Sequence, residues 1–285
     1  MRRPVTWLDV FTSTPLTGNQ LAVVLDADGI DDATMLAFAR ETRFSETTFV
    51  QTATEPHADY RNRIWTMPGE IPFAGHPSLG TAVAVARARG EQHASYVQQT
   101  HAGLQPIDVR LDGDAARASM LQEPPVFTDQ PPPADVMAAA GLGAVDADPD
   151  FPPQVVSCGT AHLMAPVRDR AVLERAKPDA MALRMLLESY GPALVLYLVA
   201  VDPDLGDAYA RSFFLGIEGV VEDPATGSAA GPMLAYLNDR RGTQTLTIRQ
   251  GDEIGRPSVL DCAWADDRPR VAGDVVVVAD GHVSL

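Results

Sequence analysis

Two short stretches bring polar side chains to places where they could move a proton or hold an anion. The first is Glu70-Ile71-Pro72-Phe73-Ala74-Gly75-His76-Pro77, and the second runs from Val220 through Glu222-Asp223-Pro224-Ala225-Thr226-Gly227-Ser228 to Gly231. In each, a turn delivers side chains to the start of a helix, where unpaired N–H groups and the positive end of the dipole attract an anion. His76, Asp223 and Ser228 are the candidate acid–base groups. Gly75, Thr226 and Gly227 mark the helix starts and are candidates for binding a small carboxylate. A further candidate is Glu46, flanked by Phe44, Phe49 and Val50 where a helix passes into a strand. Burial there would raise its pKa toward the range of a useful general base.

Taken singly, each has a plainer account. His76 ahead of Pro77 can be satisfied by backbone, and Asp223 and Thr226 can be helix caps worth about 1 kcal/mol each. Glu46 alone reads as a solvated charge. The recurrence of one device in both halves of the chain tips the balance toward function.

Other chemistries lack their signatures. Gly75 to Gly80 has phosphate-loop spacing, but Thr81 stands where the lysine is required. There is no G-x-S-x-G elbow, no H-E-x-x-H and no G-x-G-x-x-G, and the six histidines show no metal-ligand spacing. The expectation is therefore an enzyme with no metal and no cofactor, working by proton transfer through side chains.

The elements that must carry these residues follow from pattern. Strands are expected at Val5–Phe11 and Leu21–Asp26, then a helix opened by Asp31-Asp32 with Met35, Leu36, Ala39 and Thr42 on one side. Strands at Thr47–Gln51 and Tyr60–Thr66 lead to a helix from Pro77 to about Gly90, followed by strands at Ser95–Thr100, Leu104–Leu111 and Ala116–Leu121. Beyond a proline-dense stretch at Glu123–Pro133 come a helix near Ala134–Ala140, strands at Gln154–Ser157 and Thr160–Pro166, and a helix at Pro178–Ser189. A strand at Ala193–Val201 precedes a helix from Thr226, and the chain ends in strands Val271–Ala279 and His282–Leu285. The helices after Pro77 and Thr226 are built from small residues and are apolar nearly all round, so each should be buried on every side by a curved sheet.

A length of 285 residues suits two domains, and 46% hydrophobic residues can supply two cores. The expected division is 1–122 completed by a C-terminal strand 276–285, with 123–275 as the second domain. A net charge of −16 argues against nucleic acid as a partner. The longest apolar run, Ala193 to Val201, is half of a bilayer span, and no signal segment follows Arg2-Arg3, so a cytoplasmic protein with no membrane partner is expected. Cys158 and Cys262 form no paired motif and read as free thiols.

Asp9-Val10-Phe11 to Gly18-Asn19, Phe44-Ser45-Glu46-Thr47-Thr48-Phe49, Glu70 through Thr81, and Val221 through Ala229 together resemble the phenazine-biosynthesis PhzF-like isomerase family along the whole chain. The resemblance implies an α+β, diaminopimelate-epimerase-like fold: two similar domains, each a β-barrel-like sheet wrapped around a central helix, with the active site between them. It implies cofactor-independent isomerisation of a small carboxylate such as trans-2,3-dihydro-3-hydroxyanthranilate. Glu46 would be the base, His76, Asp223 and Ser228 its partners, and the helix starts at Gly75 and Gly227 the carboxylate site. A homodimer is implied as well. The alternatives are an amino-acid racemase or epimerase on the same fold, or a non-catalytic small-molecule binder. Racemases of this fold oppose two cysteines, and the equivalent turns here carry His76 and Asp223 instead.

Overall fold

The computed structural model describes residues 1–113, 115–191, 195–202, 206–217 and 219–285. They form two compact units, Met1–Leu121 with Ala272–Leu285, and Gln122–Val271.

The first unit runs β1 (Arg2–Val10), β2 (Asn19–Val24), α1 (Asp32–Thr42), β3 (Glu46–Gln51), β4 (Tyr60–Trp65), β5 (Glu70–Ile71), α2 (Gly75–Arg89), β6 (His93–Thr100), β7 (Gly103–Asp112) and β8 (Ala115–Leu121). The second holds β9 (Val126–Phe127), α3 (Pro133–Ala139), β10 (Gln154–Ser157), β11 (Ala161–Pro166), α4 (Arg170–Arg175), α5 (Ala180–Tyr190), β12 (Leu196–Asp202), β13 (Asp207–Gly216), β14 (Gly219–Asp223), α6 (Gly227–Arg241), β15 (Thr245–Gln250) and β16 (Ser258–Ala265). The last strand, β17 (Arg268–Ser284), starts in the second unit and ends in the first.

The two units repeat one strand pattern. β2 and β3 are parallel, β3 and β4 antiparallel, β4 and β6 parallel, β6 and β7 antiparallel. β11, β12, β13, β15 and β16 repeat that series in the same senses. Each sheet wraps a helix. Every residue of α2 from Gly75 to Ala86 is buried, and α2 touches β1, β2, β3, β4, β6, β7 and β8. In α6 the span from Ala229 to Leu237 is buried, against β10, β11, β15 and β16. The fold is α+β, with two similar domains, each a β-barrel-like sheet around a central helix.

Small residues let the strands close on these helices. A methyl group on Gly80 would come 2.6 Å from Leu21 Cδ2, and one on Gly231 would come 1.9 Å from Gln122 Oε1. Asp31 accepts from Thr34 N at 2.8 Å and so caps α1, as its acidic pair suggested, while Gly90 ends α2 in the left-handed conformation.

Some expectations need correction. The two terminal strands are one, because Asp280-Gly281-His282 does not turn but pairs with Thr6, Val5 and Pro4 of β1. Thr6 Oγ1 donates to Asp280 at 2.9 Å within that pairing. α4 and strands β13 to β16 had not been read from the sequence. Residues 193 and 194 of the expected strand Ala193–Val201 lie outside the described residues, and β12 occupies Leu196–Asp202. Its apolar run is explained by two covered faces: Leu196 and Leu198 join the core of α3 and α5, while Tyr197 meets Gln250. Among the described residues no helix is long and apolar enough to cross a membrane. Cys158 and Cys262 are both free and buried.

Candidate functional site

The same clamp precedes each buried helix. On the β4–β5 hairpin Trp65 pairs with Glu70, and Arg63, two residues back, donates to Glu70 at 2.8 and 2.5 Å. On the β13–β14 hairpin Phe213 pairs with Glu222, and Arg211, again two residues back, donates to Glu222 at 2.8 and 2.7 Å. Each guanidinium also lies over the aromatic ring two residues on, at 5.3 Å from the Trp65 centroid and 5.0 Å from that of Phe213. The remaining arginine nitrogen reaches back to an earlier crossover, β2 to β3 at Asp32 in one unit and β11 to β12 at the Leu173 and Ala176 carbonyls in the other. Glu70 and Glu222 each stand five residues before the glycine that opens the helix, so the clamp fixes where His76 and Ser228 begin their turns. In sequence the repeat is Arg-x-aromatic, then Glu, then Gly five residues later, a signal that becomes plain only when the hairpins are paired.

In the first unit the structure brings Glu46 and His76 together. His76 Nε2 lies 3.4 Å from Glu46 Oε2, with side chains 5% and 17% exposed. The Gln20 backbone meets the His76 ring, and among the described residues Nε2 makes no hydrogen bond of good geometry. Burial pushes the His76 pKa down to about 3, the Gln20 bond opposing it only in part. The imidazole is therefore neutral at physiological pH, with Nε2 facing a carboxyl oxygen.

The second unit gathers Asp223, Thr226 and Ser228 at the start of α6. Thr226 Oγ1 donates to Asp223 Oδ2 at 2.5 Å, and α6 has no side-chain cap from Thr226, nor α2 one from Ala74. Simple capping by Thr226, the plainer account above, is not what the structure shows. Ser228 is half-buried, one residue after Gly227. Pro232 lacks the N–H that would bond to the Ser228 carbonyl from the next turn. The ring of His162, in β11, lies against the Ser228 backbone in its place. Burial holds His162 down to about 4, and neither ring nitrogen makes a hydrogen bond of good geometry among the described residues. His162, Gln250 and Tyr197 surround the turn without having been singled out in sequence. The one available signal was Pro232 inside a helix, which leaves an orphan carbonyl in need of a partner.

The register shows what is not repeated. Thr47 pairs with Trp65, and Leu196 pairs with Phe213. Counting back one residue from each, Glu46 in the first unit matches Val195 in the second. Among the described residues no three His, Cys, Asp or Glu side chains converge as a metal site would need.

Residues 8–281 match the family described as phenazine biosynthesis-like protein. The chain belongs to this family. It is 37% identical to a Pseudomonas aeruginosa protein named trans-2,3-dihydro-3-hydroxyanthranilate isomerase, with 98% of each covered. It is 36% identical to a Pseudomonas fluorescens protein of the same name, with 96% of this chain and 94% of the relative covered. A Bacillus anthracis phenazine-biosynthesis protein of known structure superposes with a TM-score of 0.86 at 28% identity over the whole of both chains. A hydroxyproline epimerase from Agrobacterium vitis shares the fold, with a TM-score of 0.64 at 14% identity over 99% of this chain and 91% of that one. The curated relatives are isomerases by name, and this phenazine biosynthesis-like protein is an isomerase.

Proposed function

We propose that the protein isomerises a small cyclic carboxylate of the trans-2,3-dihydro-3-hydroxyanthranilate type, with Glu46 as the group that takes and returns the proton. The observation that carries this is the approach of Glu46 Oε2 to His76 Nε2 at 3.4 Å beside the start of a buried helix.

In this reading the Glu46 carboxylate removes a proton from one ring carbon, leaving the electron pair delocalised over the ring. The resulting carboxylic acid then returns a proton to another carbon, so the substrate gains and loses nothing. His76, neutral and buried, orients Glu46 and offers Nε2 to its proton between the two transfers. Only an acid–base group is required, so the reaction runs without a cofactor. Asp223 and Ser228 bind the substrate's polar groups, and the helix starts at Gly75 and at Thr226-Gly227 favour its carboxylate. The relatives named for this reaction support the choice of substrate.

The test is turnover of trans-2,3-dihydro-3-hydroxyanthranilate in D₂O, followed by NMR. Deuterium should enter at the newly protonated carbon in the native enzyme, and turnover should vanish in Glu46→Gln. Turnover at the native rate in Glu46→Gln would overturn the assignment of the base. A native enzyme that leaves this compound untouched would overturn the choice of substrate.

A further inference from the structure

Gln250 is 1% exposed at the end of β15, and among the described residues three of the four hydrogen bonds of its side chain go to the Asp223–Thr226 turn. Thr226 N and the Tyr197 hydroxyl each donate to Oε1 at 3.2 Å, while Nε2 donates to the Asp223 carbonyl at 2.7 Å and to Thr226 Oγ1 at 3.0 Å. The orientation of the amide is not a free choice. A backbone N–H can only donate and a backbone carbonyl can only accept, so the oxygen must face Thr226 N and the nitrogen must face the Asp223 carbonyl.

The consequence passes along the chain of bonds. Because Nε2 can only donate, Thr226 Oγ1 must accept from it, and the single hydroxyl proton of Thr226 is left for Asp223 Oδ2, 2.5 Å away. That length belongs to a hydroxyl meeting an ionised carboxylate. A proton on Oδ2 would oppose the Thr226 proton, and Gln250 offers Thr226 no other acceptor.

We infer that Gln250 is a positioning residue that, through Thr226, fixes the direction of hydrogen bonding at Asp223 and holds it as an ionised acceptor. This rests on the proposed role of Asp223 in binding substrate. It adds that the substrate group meeting Asp223 is a donor, an amine or a hydroxyl, and not its carboxylate. Gly251 keeps the device tight: a side chain there would come 2.7 Å from the Pro224 carbonyl and 2.3 Å from that of Arg256. In the first unit Thr100 occupies the equivalent β6 position by register and donates to the Gly103 carbonyl instead.

The charged and titratable groups that the neighbouring elements bring to this turn are Tyr197 from β12, the Arg211–Glu222 pair from β13 and β14, His162 from β11 beside Ser228, and Cys262 from β16 beside Tyr197. They remain in place in the variants below, except where one is itself changed.

The experiment is a carboxyl-carbon NMR titration of the Asp223 side chain in the full protein, its signal identified by loss in Asp223→Asn. Gln250→Leu and Thr226→Val should each raise the titration midpoint, by about one pH unit for a lost donor to the carboxylate, and Thr226→Ser should keep the native value. If Gln250→Leu does not fold, Gln250→Glu keeps the shape but not the donor and should raise the midpoint too. An unmoved midpoint in Thr226→Val and the folded Gln250 variant would overturn the inference. Turnover distinguishes it from the functional reading. Asp223→Asn retaining native kcat and KM alongside a raised midpoint in Thr226→Val would refute the role of Asp223 and leave the wiring standing. An inactive Asp223→Asn with unmoved midpoints would do the reverse.

Discussion

The two units share a strand pattern and a hairpin clamp down to single hydrogen bonds, and they differ in the side chains set beside the two helix starts. Arg63–Glu70 over Trp65 and Arg211–Glu222 over Phe213 are the same clamp on the same hairpin, ahead of the same kind of buried helix. Yet the register sets Glu46 against Val195, Gly75 is followed by a histidine and Gly227 by a serine, and Thr100 answers to Gln250. Each unit thus presents side chains at a helix start, and the proposed function places the proton-transferring carboxylate in the first unit alone. The equivalent turns carry His76 and Asp223, so the opposed pair of cysteines used by racemases of this fold is not present at these positions.

The sharpest way to break that comparison is to remove its asymmetry. Glu46→Gln should lower kcat about 10²–10⁴-fold, the usual worth of a general acid–base group, with an unchanged circular dichroism spectrum. Val195→Glu should not rescue it.

Next come the clamps. Arg63→Met and Arg211→Met each leave a largely buried glutamate without its partner and should cost about 3–5 kcal/mol in urea unfolding. Similar losses in both units would confirm a common structural role. A loss in one alone would show that the likeness is only geometric.

The buried histidines make a smaller, pH-dependent effect. His76 at about 3 and His162 at about 4 both lie below the ordinary value of 6.5. The unfolded chain therefore takes up protons first as pH falls, and stability drops below pH 6.5 until the folded-state values are reached. Between pH 7 and 5 each histidine should account for about 2 kcal/mol of that drop. His162→Leu should flatten the acid side of the stability profile by this amount, measured by chemical denaturation at the two pH values.

Smallest are the close approaches. Gly80→Ala should cost about 1–3 kcal/mol through overpacking against Leu21 and Val10, as should Gly231→Ala against Gln122. Thermal melts of the pair would show whether the two sheets close equally tightly.

Much of this was legible in the sequence. The two small-residue helices stood out because no exposed face remained on them, and the motifs around Glu46, His76 and Asp223 named the family. What stayed hidden were partners set by register. Gln250, Tyr197 and His162 come from strands that carry no local sign of the turn they serve, and Arg63 and Arg211 look like ordinary charges until their hairpins are paired. The terminal strand was misread because Asp280-Gly281 has turn chemistry, and only pairing with β1 overrides it.

That pairing has a bearing on how the chain matures. The segment Gln122–Val271 is continuous and can close its sheet as soon as its own residues have left the ribosome. The other unit cannot, because its edge is finished by Ala272–Leu285, with Arg2 opposite Ser284. The earliest-synthesised half thus waits longest, with β1 unpaired on the side that β17 will cover. Because Arg2 pairs with Ser284, the half carrying Glu46 cannot complete its sheet before β17 has been made.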